Sequence, residues 1–225
     1  MIILAVETAL GACSAAVISN GRVLAQEHES MVRGHAEALA PMVRRVMEEA
    51  GIGFRSLERV AVTTGPGTFT GQRVGLAFAR ALALALKIPA IGITTLEAMA
   101  AEALSRLPHA SWAISVADAK RGDIYLAAAA PGGELLIPAR LLPAEQLGAA
   151  ISLAAENFGL APVLAGTAAP ILREPLIRMG YSPVDSDVRQ PTAAFVALAC
   201  EQLPETHSAR PLYLRPPDAR LPRSP

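Results

Sequence analysis

Apolar residues open the chain as a short block at 2–6 and return at 13–19, beyond a turn at Gly11. Asn20-Gly21 separates the second block from a run at 22–29. Asn-Gly between two such runs marks a tight hairpin, so three antiparallel strands are predicted. From 35 to 51 the period changes: Leu39, Met42, Val43, Val46, Met47 and Ala50 recur every three or four residues. Glu37, Arg44, Arg45, Glu48 and Glu49 fill the other side and Gly51 supplies a stop, which predicts an amphipathic helix. Pro41 fits that helix only in its first turn or at a slight kink. Residues 57–64 read as strand, 70–87 as helix and 89–93 as strand, and a further helix starts at Thr95, read as its cap. The first hundred residues thus read βββαβαβα.

After Pro108 the pattern restarts, with strands at 112–117, 123–130 and 134–142, a helix at 143–157, a strand at 162–166 and helices at 167–179 and 191–203. Two hairpin-led halves predict a duplicated α/β architecture. The lobes are expected at 1–106 and 107–205, followed by an extended or mobile Pro- and Arg-rich tail at 206–225.

Composition narrows the function classes. The chain is 52% hydrophobic with only 4% aromatic residues, which indicates a large aliphatic core. Twenty basic residues balance twenty acidic ones, so any grip on nucleic acid has to come from a local patch. Lys120, Arg121, Arg210, Arg215, Arg220 and Arg223 are the local candidates, with solvated surface charge as the alternative. Cys13 and Cys200 form no CxxC pair and read as buried, reduced thiols. The first residues have no basic region ahead of a long apolar run, so no signal peptide is expected. The apolar window at 74–93 carries Arg80 and Lys87 and is broken by Pro89, which argues against a membrane span and for a cytoplasmic protein.

Candidate chemistry centres on Gly65-Pro66-Gly67-Thr68-Phe69-Thr70-Gly71. A Walker loop needs GxxxxGK[ST] and a dinucleotide fingerprint needs GxGxxG; neither spacing is present. Pro66 also removes a backbone donor that a phosphate cradle would use. An anion at the helix start, with Thr70 as cap, stays open as an alternative to close helix packing. Glu7 and Thr8 at the end of the first strand, Gly67, Thr70 and Gly71 in this loop, and Asp118 at the matching strand end of the second half form a candidate vestige of a nucleotide site. Hairpin ends carry Asp and other charges routinely, which is the plainer reading of Glu7 and Asp118. His28, His35, His109 and His207 make no HExxH or HxxxH, and neither a metal site nor a Ser/His/Asp triad is signalled. The helix at 70–87 is apolar nearly all round apart from Arg73, Arg80 and Lys87, so it needs cover on more than one side. Paired with the helix at 38–50, it is expected to present a docking surface of Leu39, Met42, Val43, Val46, Val74, Phe78 and Ala81.

LAVETA, HAEALAPM, GPGTFTGQRVGLAFARALA, VADAKRGDIYLA and PLYLRPPDAR together resemble the TsaB (YeaZ) family over nearly the whole chain. The resemblance implies a two-lobed actin/Hsp70/sugar-kinase-like (ASKHA) fold with a reduced second lobe. It implies a non-catalytic subunit, related to the catalytic subunit TsaD but lacking its metal-binding histidines and a complete nucleotide site. Such a subunit pairs with TsaD through N-lobe helices and is joined by the ATPase TsaE. TsaD transfers a threonylcarbamoyl group to the adenosine next to the anticodon (t6A37) of tRNAs reading ANN codons. ATP and metal are then expected on the partners, with none bound by this chain alone, and tRNA is reached through the complex. In isolation a homodimer is expected from a related contact. An ATP-binding enzyme of the same fold and, behind it, a metallopeptidase are the alternatives. Two departures stand out: Glu7-Thr8-Ala9 where the family has Asp-Thr-Ser, and a single Gly166 where nucleotide-binding relatives show a glycine pair.

Overall fold

The computed structural model describes residues 1–155 and 158–215. Strands β1 (Ile2–Glu7), β2 (Ala12–Ser19) and β3 (Arg22–Ser30) form the antiparallel start, and Asn20 and Gly21 turn with positive φ as the Asn-Gly signal requires. Helix α1 (His35–Glu49), β4 (Arg59–Thr63), α2 (Phe69–Leu86), β5 (Ala90–Ile93) and α3 (Thr95–Arg106) follow. The second half repeats the order with β6 (Ala113–Asp118), β7 (Asp123–Ala129), β8 (Leu135–Pro143), α4 (Leu147–Ala155), β9 (Val163–Ala165), α5 (Ala169–Arg178), β10 (Val184–Asp185) and α6 (Ala193–Glu201). The sheets run β3-β2-β1-β4-β5 and β8-β7-β6-β9-β10, so each strand of one half has its counterpart in the other. The predicted duplication is present. The second lobe's last two strands are only three and two residues long, and β10, too short to leave a periodic trace, escapes the sequence pattern.

Several boundaries differ from expectation for local physical reasons. Thr68 caps α2, not Thr70: its backbone is extended and its hydroxyl accepts from Gly71 N at 3.1 Å. Thr94 likewise caps α3, not Thr95, in a capping box whose Glu97 carboxylate returns to the Thr94 N–H at 3.0 Å. The fourth helix starts at Leu147, since β8 reaches Pro143 and a short 3₁₀ turn, Ala144–Gln146, intervenes; the expected end at 156–157 lies outside the described residues. The fifth helix starts at Ala169, not Thr167. Pro41 sits past the first turn of α1 on the exposed face, where the carbonyl it leaves without a donor costs least.

Five layers result. α1 and α2 cover one face of the first sheet, and α4 and α5 cover the outer face of the second. Between the sheets lie α3 and α6, and they are exchanged. α3 packs on the second sheet through Leu96, Met99 and Ala103, whereas α6 packs on the first through Val196, Ala197 and Cys200. The two helices meet at Glu102, which is fully buried: it pairs with Arg106 at 2.6 Å and accepts from the Thr192 N–H at 2.9 Å, capping α6 from α3.

The tail is not loose as far as Arg215. Gly92 N donates to His207 O at 2.7 Å and Ala209 N to Ala90 O at 3.2 Å, so Ser208 is bridged antiparallel to Ile91 at the edge of β5. It then continues over the loop after β4 and ends on the second lobe, where Arg215 meets Asp123 at 2.6 Å. Residues 216–225, with Arg220 and Arg223, lie outside the described residues.

Candidate functional site

The glycine loop is closed by its own chain. β4 delivers Thr63 to the end of β1, where its hydroxyl donates to Glu7 Oε2 at 2.6 Å while Ala9 N donates to Oε1 at 2.7 Å. Glu7 is buried, and loss of water pushes its carboxyl up to about 7 although both hydrogen bonds oppose the shift. Thr8 donates its hydroxyl to Gly71 O at 2.7 Å, and Thr68 N donates to Ala9 O at 2.7 Å. This approach demands glycine: a Cβ on Gly67 would lie 2.3 Å from Ala9 O, and one on Gly71 2.1 Å from Thr8 O.

The structure therefore brings Glu7, Thr8, Gly67 and Gly71 together, but into a packed joint between the β1–β2 turn and α2. Three donors at this strand end, Thr68 N, Gly71 N and Ala9 N, are spent on Ala9 O, the Thr68 hydroxyl and the Glu7 carboxylate. Thr70 lies exposed in the first turn of α2. Asp118 belongs to a different cluster: Lys120 Nζ reaches its Oδ2 at 2.7 Å, that bond holds its carboxyl below the usual carboxylate range, and its N–H donates to Thr167. The six residues do not form one cradle. Both cysteines are free and buried, and burial pushes the thiols of Cys13 and Cys200 up to about 11 and about 12. Among the described residues, no three His, Cys, Asp or Glu side chains gather as metal ligands would.

The expected docking surface needs correction as well. Leu39, Met42, Val43 and Val46 point inward and are at most 1% exposed, packed with Leu4, Val17 and Val60. α1 has one apolar stripe, and the sheet takes all of it. Its outer face is polar: Arg45 grips Glu27 of β3 with bonds of 2.9 and 2.6 Å. Of these two helices, α2 carries the open apolar face. Val74 and Phe78 are half-buried, Ala77, Ala81 and Ala85 are exposed, and Leu84 is 80% exposed. Beside them a groove of about 420 Å³ is lined by Arg80, Ala81, Ala83, Leu84, Ile88 and Ala90.

Residues that the sequence pattern missed surround the start of α2. Gln72 is buried and donates its amide to Thr64 O and, at 3.4 Å, to Leu212 O, which ties the tail to the glycine loop. The Arg73 guanidinium lies 3.1 Å from the centre of the Phe69 ring and 5.5 Å from that of Tyr213, whose hydroxyl accepts from its Nε at 3.1 Å. The four-residue spacing of Phe69 and Arg73 is a visible signal for the first pair. Nothing local announces Tyr213.

Comparison with known proteins decides the family. The family profile described as TsaD, tRNA N6-adenosine threonylcarbamoyltransferase, matches residues 22–155. The TsaB proteins of Escherichia coli and Haemophilus influenzae, named for tRNA threonylcarbamoyladenosine biosynthesis, are 38% and 33% identical to it. These matches cover 56% and 55% of the chain and 54% and 51% of the relatives, so the chain spans about half the length of the curated relatives it matches. The solved structure of YeaZ from Pseudomonas aeruginosa superposes with a TM-score of 0.77 at 28% identity, over 95% of this chain and 99% of that one. The chain belongs to the TsaB/YeaZ family.

Likeness beyond TsaB is one of fold. A hexokinase of Thermus thermophilus superposes with a TM-score of 0.51 at 17% identity, over 89% of this chain and 98% of that one, and shares the two-lobed ASKHA architecture. In the TsaB-family chain, Glu7 and the glycine loop occupy the end of the first lobe's sheet but are turned onto each other. No helix among the described residues is long and apolar enough to cross a membrane.

Proposed function

We propose that this chain is a non-catalytic subunit for threonylcarbamoyl transfer to the adenosine next to the anticodon of tRNA, pairing with a TsaD-type transferase through the outer face of α2. The observation that carries this reading is the helix itself. Six of its residues serve the core, yet Ala77, Ala81, Leu84 and Ala85 leave a smooth apolar strip uncovered. Small residues let another helix approach closely, and Leu84 supplies an anchor. The self-packed glycine loop fits a subunit that leaves ATP and metal to its partners, the transferase and a TsaE-type ATPase. The same strip would let two copies of the chain pair when the partner is missing.

Leu84→Glu tests the pairing without touching the core. Capture of a tagged TsaD-type subunit is expected to fall at least tenfold while the circular dichroism spectrum stays unchanged; capture at wild-type level would sink the reading. Calorimetric titration of the isolated chain with Mg-ATP is expected to show no micromolar binding. Binding with turnover would favour the enzyme alternative instead.

A further inference from the structure

The stack at the start of α2 continues into a polar, positively charged surface that the pairing helix face does not use. Phe69 is 67% and Tyr213 52% exposed, with the Arg73 guanidinium held between them. Two residues beyond Tyr213, Arg215 donates to Lys120 O at 3.3 Å and pairs with Asp123 at 2.6 Å. The tail thus joins the aromatic stack to the β6–β7 turn, where Lys120 and Arg121 stand side by side. Among the described residues, four cations and two carboxylates, Asp118 and Asp123, lie along this path in a chain whose formal net charge is zero.

The backbone of that turn is strained as well. Lys120 and Arg121 adopt φ of +65° and +59°, a left-handed backbone that side-chain-bearing residues avoid. Asn or Gly would relieve it, yet two long cations occupy both positions. Lys120 remains 80% exposed at its side chain even while paired to Asp118.

We propose that Phe69, Arg73 and Tyr213, continued by Arg215, Lys120 and Arg121, form a seat for the unpaired bases and backbone of an RNA loop. Exposed aromatic rings and guanidinium planes take splayed-out bases by stacking, and neighbouring cations take the phosphates. An apolar protein partner is the poorer fit, because the guanidinium, the tyrosine hydroxyl and the two ion pairs would each have to be desolvated. The inference rests on the reading of the chain as part of an RNA-modifying assembly, and it adds direct contact with the RNA.

The test is fluorescence anisotropy of the full chain with a labelled RNA hairpin carrying a seven-nucleotide loop, beside the same hairpin with an abasic loop. The intact loop is expected to bind, with affinity falling roughly tenfold or more for Phe69→Ala or Tyr213→Ala and retained in Phe69→Trp. Lys120→Gln should lower the slope of log affinity against log salt by about one. Absence of binding, equal affinity for the abasic loop, or unchanged affinity in both alanine variants would overturn the proposal. So would loss of transferase capture by Phe69→Ala without any RNA binding, since the stack would then be a protein contact. Leu84→Glu separates the two ideas: it should abolish capture and leave RNA affinity intact, so the pairing can fail while the RNA seat stands, and the reverse.

Discussion

Gly71→Ala is expected to lower the stability of the chain by about 4 kcal/mol, adding overpacking to the loss of a cap and a hydrogen bond. The added methyl would lie 2.1 Å from Thr8 O and 2.6 Å from the capping hydroxyl of Thr68, and the first of these atoms is backbone. α2 must therefore retreat from the β1–β2 turn, losing the cap and the Thr8–Gly71 bond together. Against a typical total of 5–15 kcal/mol that is a large share. Urea unfolding should show the midpoint falling with an unchanged slope; a loss below about 1 kcal/mol would refute the packed-joint account. Gly75→Ala supplies the contrast, because its methyl meets the Thr8 hydroxyl at 2.6 Å, a side-chain atom. Thr8→Ala should rescue Gly75→Ala and leave Gly71→Ala as poor as before.

The second large effect is a pH dependence centred on Glu7. Burial raises its carboxyl from 4.5 to about 7, so the folded chain holds this proton more tightly than the unfolded one. The associated stability is fully present below pH 4.5 and is lost as pH rises through 7. The gap corresponds to about 3 kcal/mol. Glu7→Gln keeps an acceptor for Ala9 N and a donor for the Thr63 hydroxyl but has no proton to lose. The variant is expected to be flat between pH 5 and 8 and more stable than wild type at pH 8. Parallel pH profiles for the two proteins, measured by denaturant unfolding, would contradict the assignment.

Legibility in the sequence followed the range of the interactions involved. Asn20-Gly21 and the α1 periodicity are local signals that the structure matches, as it does the repetition of the hairpin-led halves. The same periodicity identifies the apolar stripe of α1 but is silent on what covers it. Leu39 and Val43 could thus be assigned to a partner when their own sheet takes them. The helix caps slipped by one or two residues because Thr68 and Thr70, or Thr94 and Thr95, are equivalent until backbone geometry chooses between them. Glu7 reads as a strand-end acid, but its hydroxyl partner, Thr63, stands fifty-six residues away. The aromatic stack needed residues 140 positions apart, and no window along the chain contains both.

The exchange of α3 and α6 bears on the order in which the protein can be made. The face of the first sheet carrying Ile3, Ala5, Ile18 and Ile91 is covered by residues of the last helix. On a ribosome adding 5–20 residues per second, roughly 5–20 s separate the end of α3 from the end of α6. Throughout that interval the nascent first lobe holds a bare apolar face, and α3 waits for a sheet not yet synthesised. The halves of this chain repeat each other in architecture, yet the first sheet takes its inner cover from α6 and the second from α3, so each half is completed by a helix of the other.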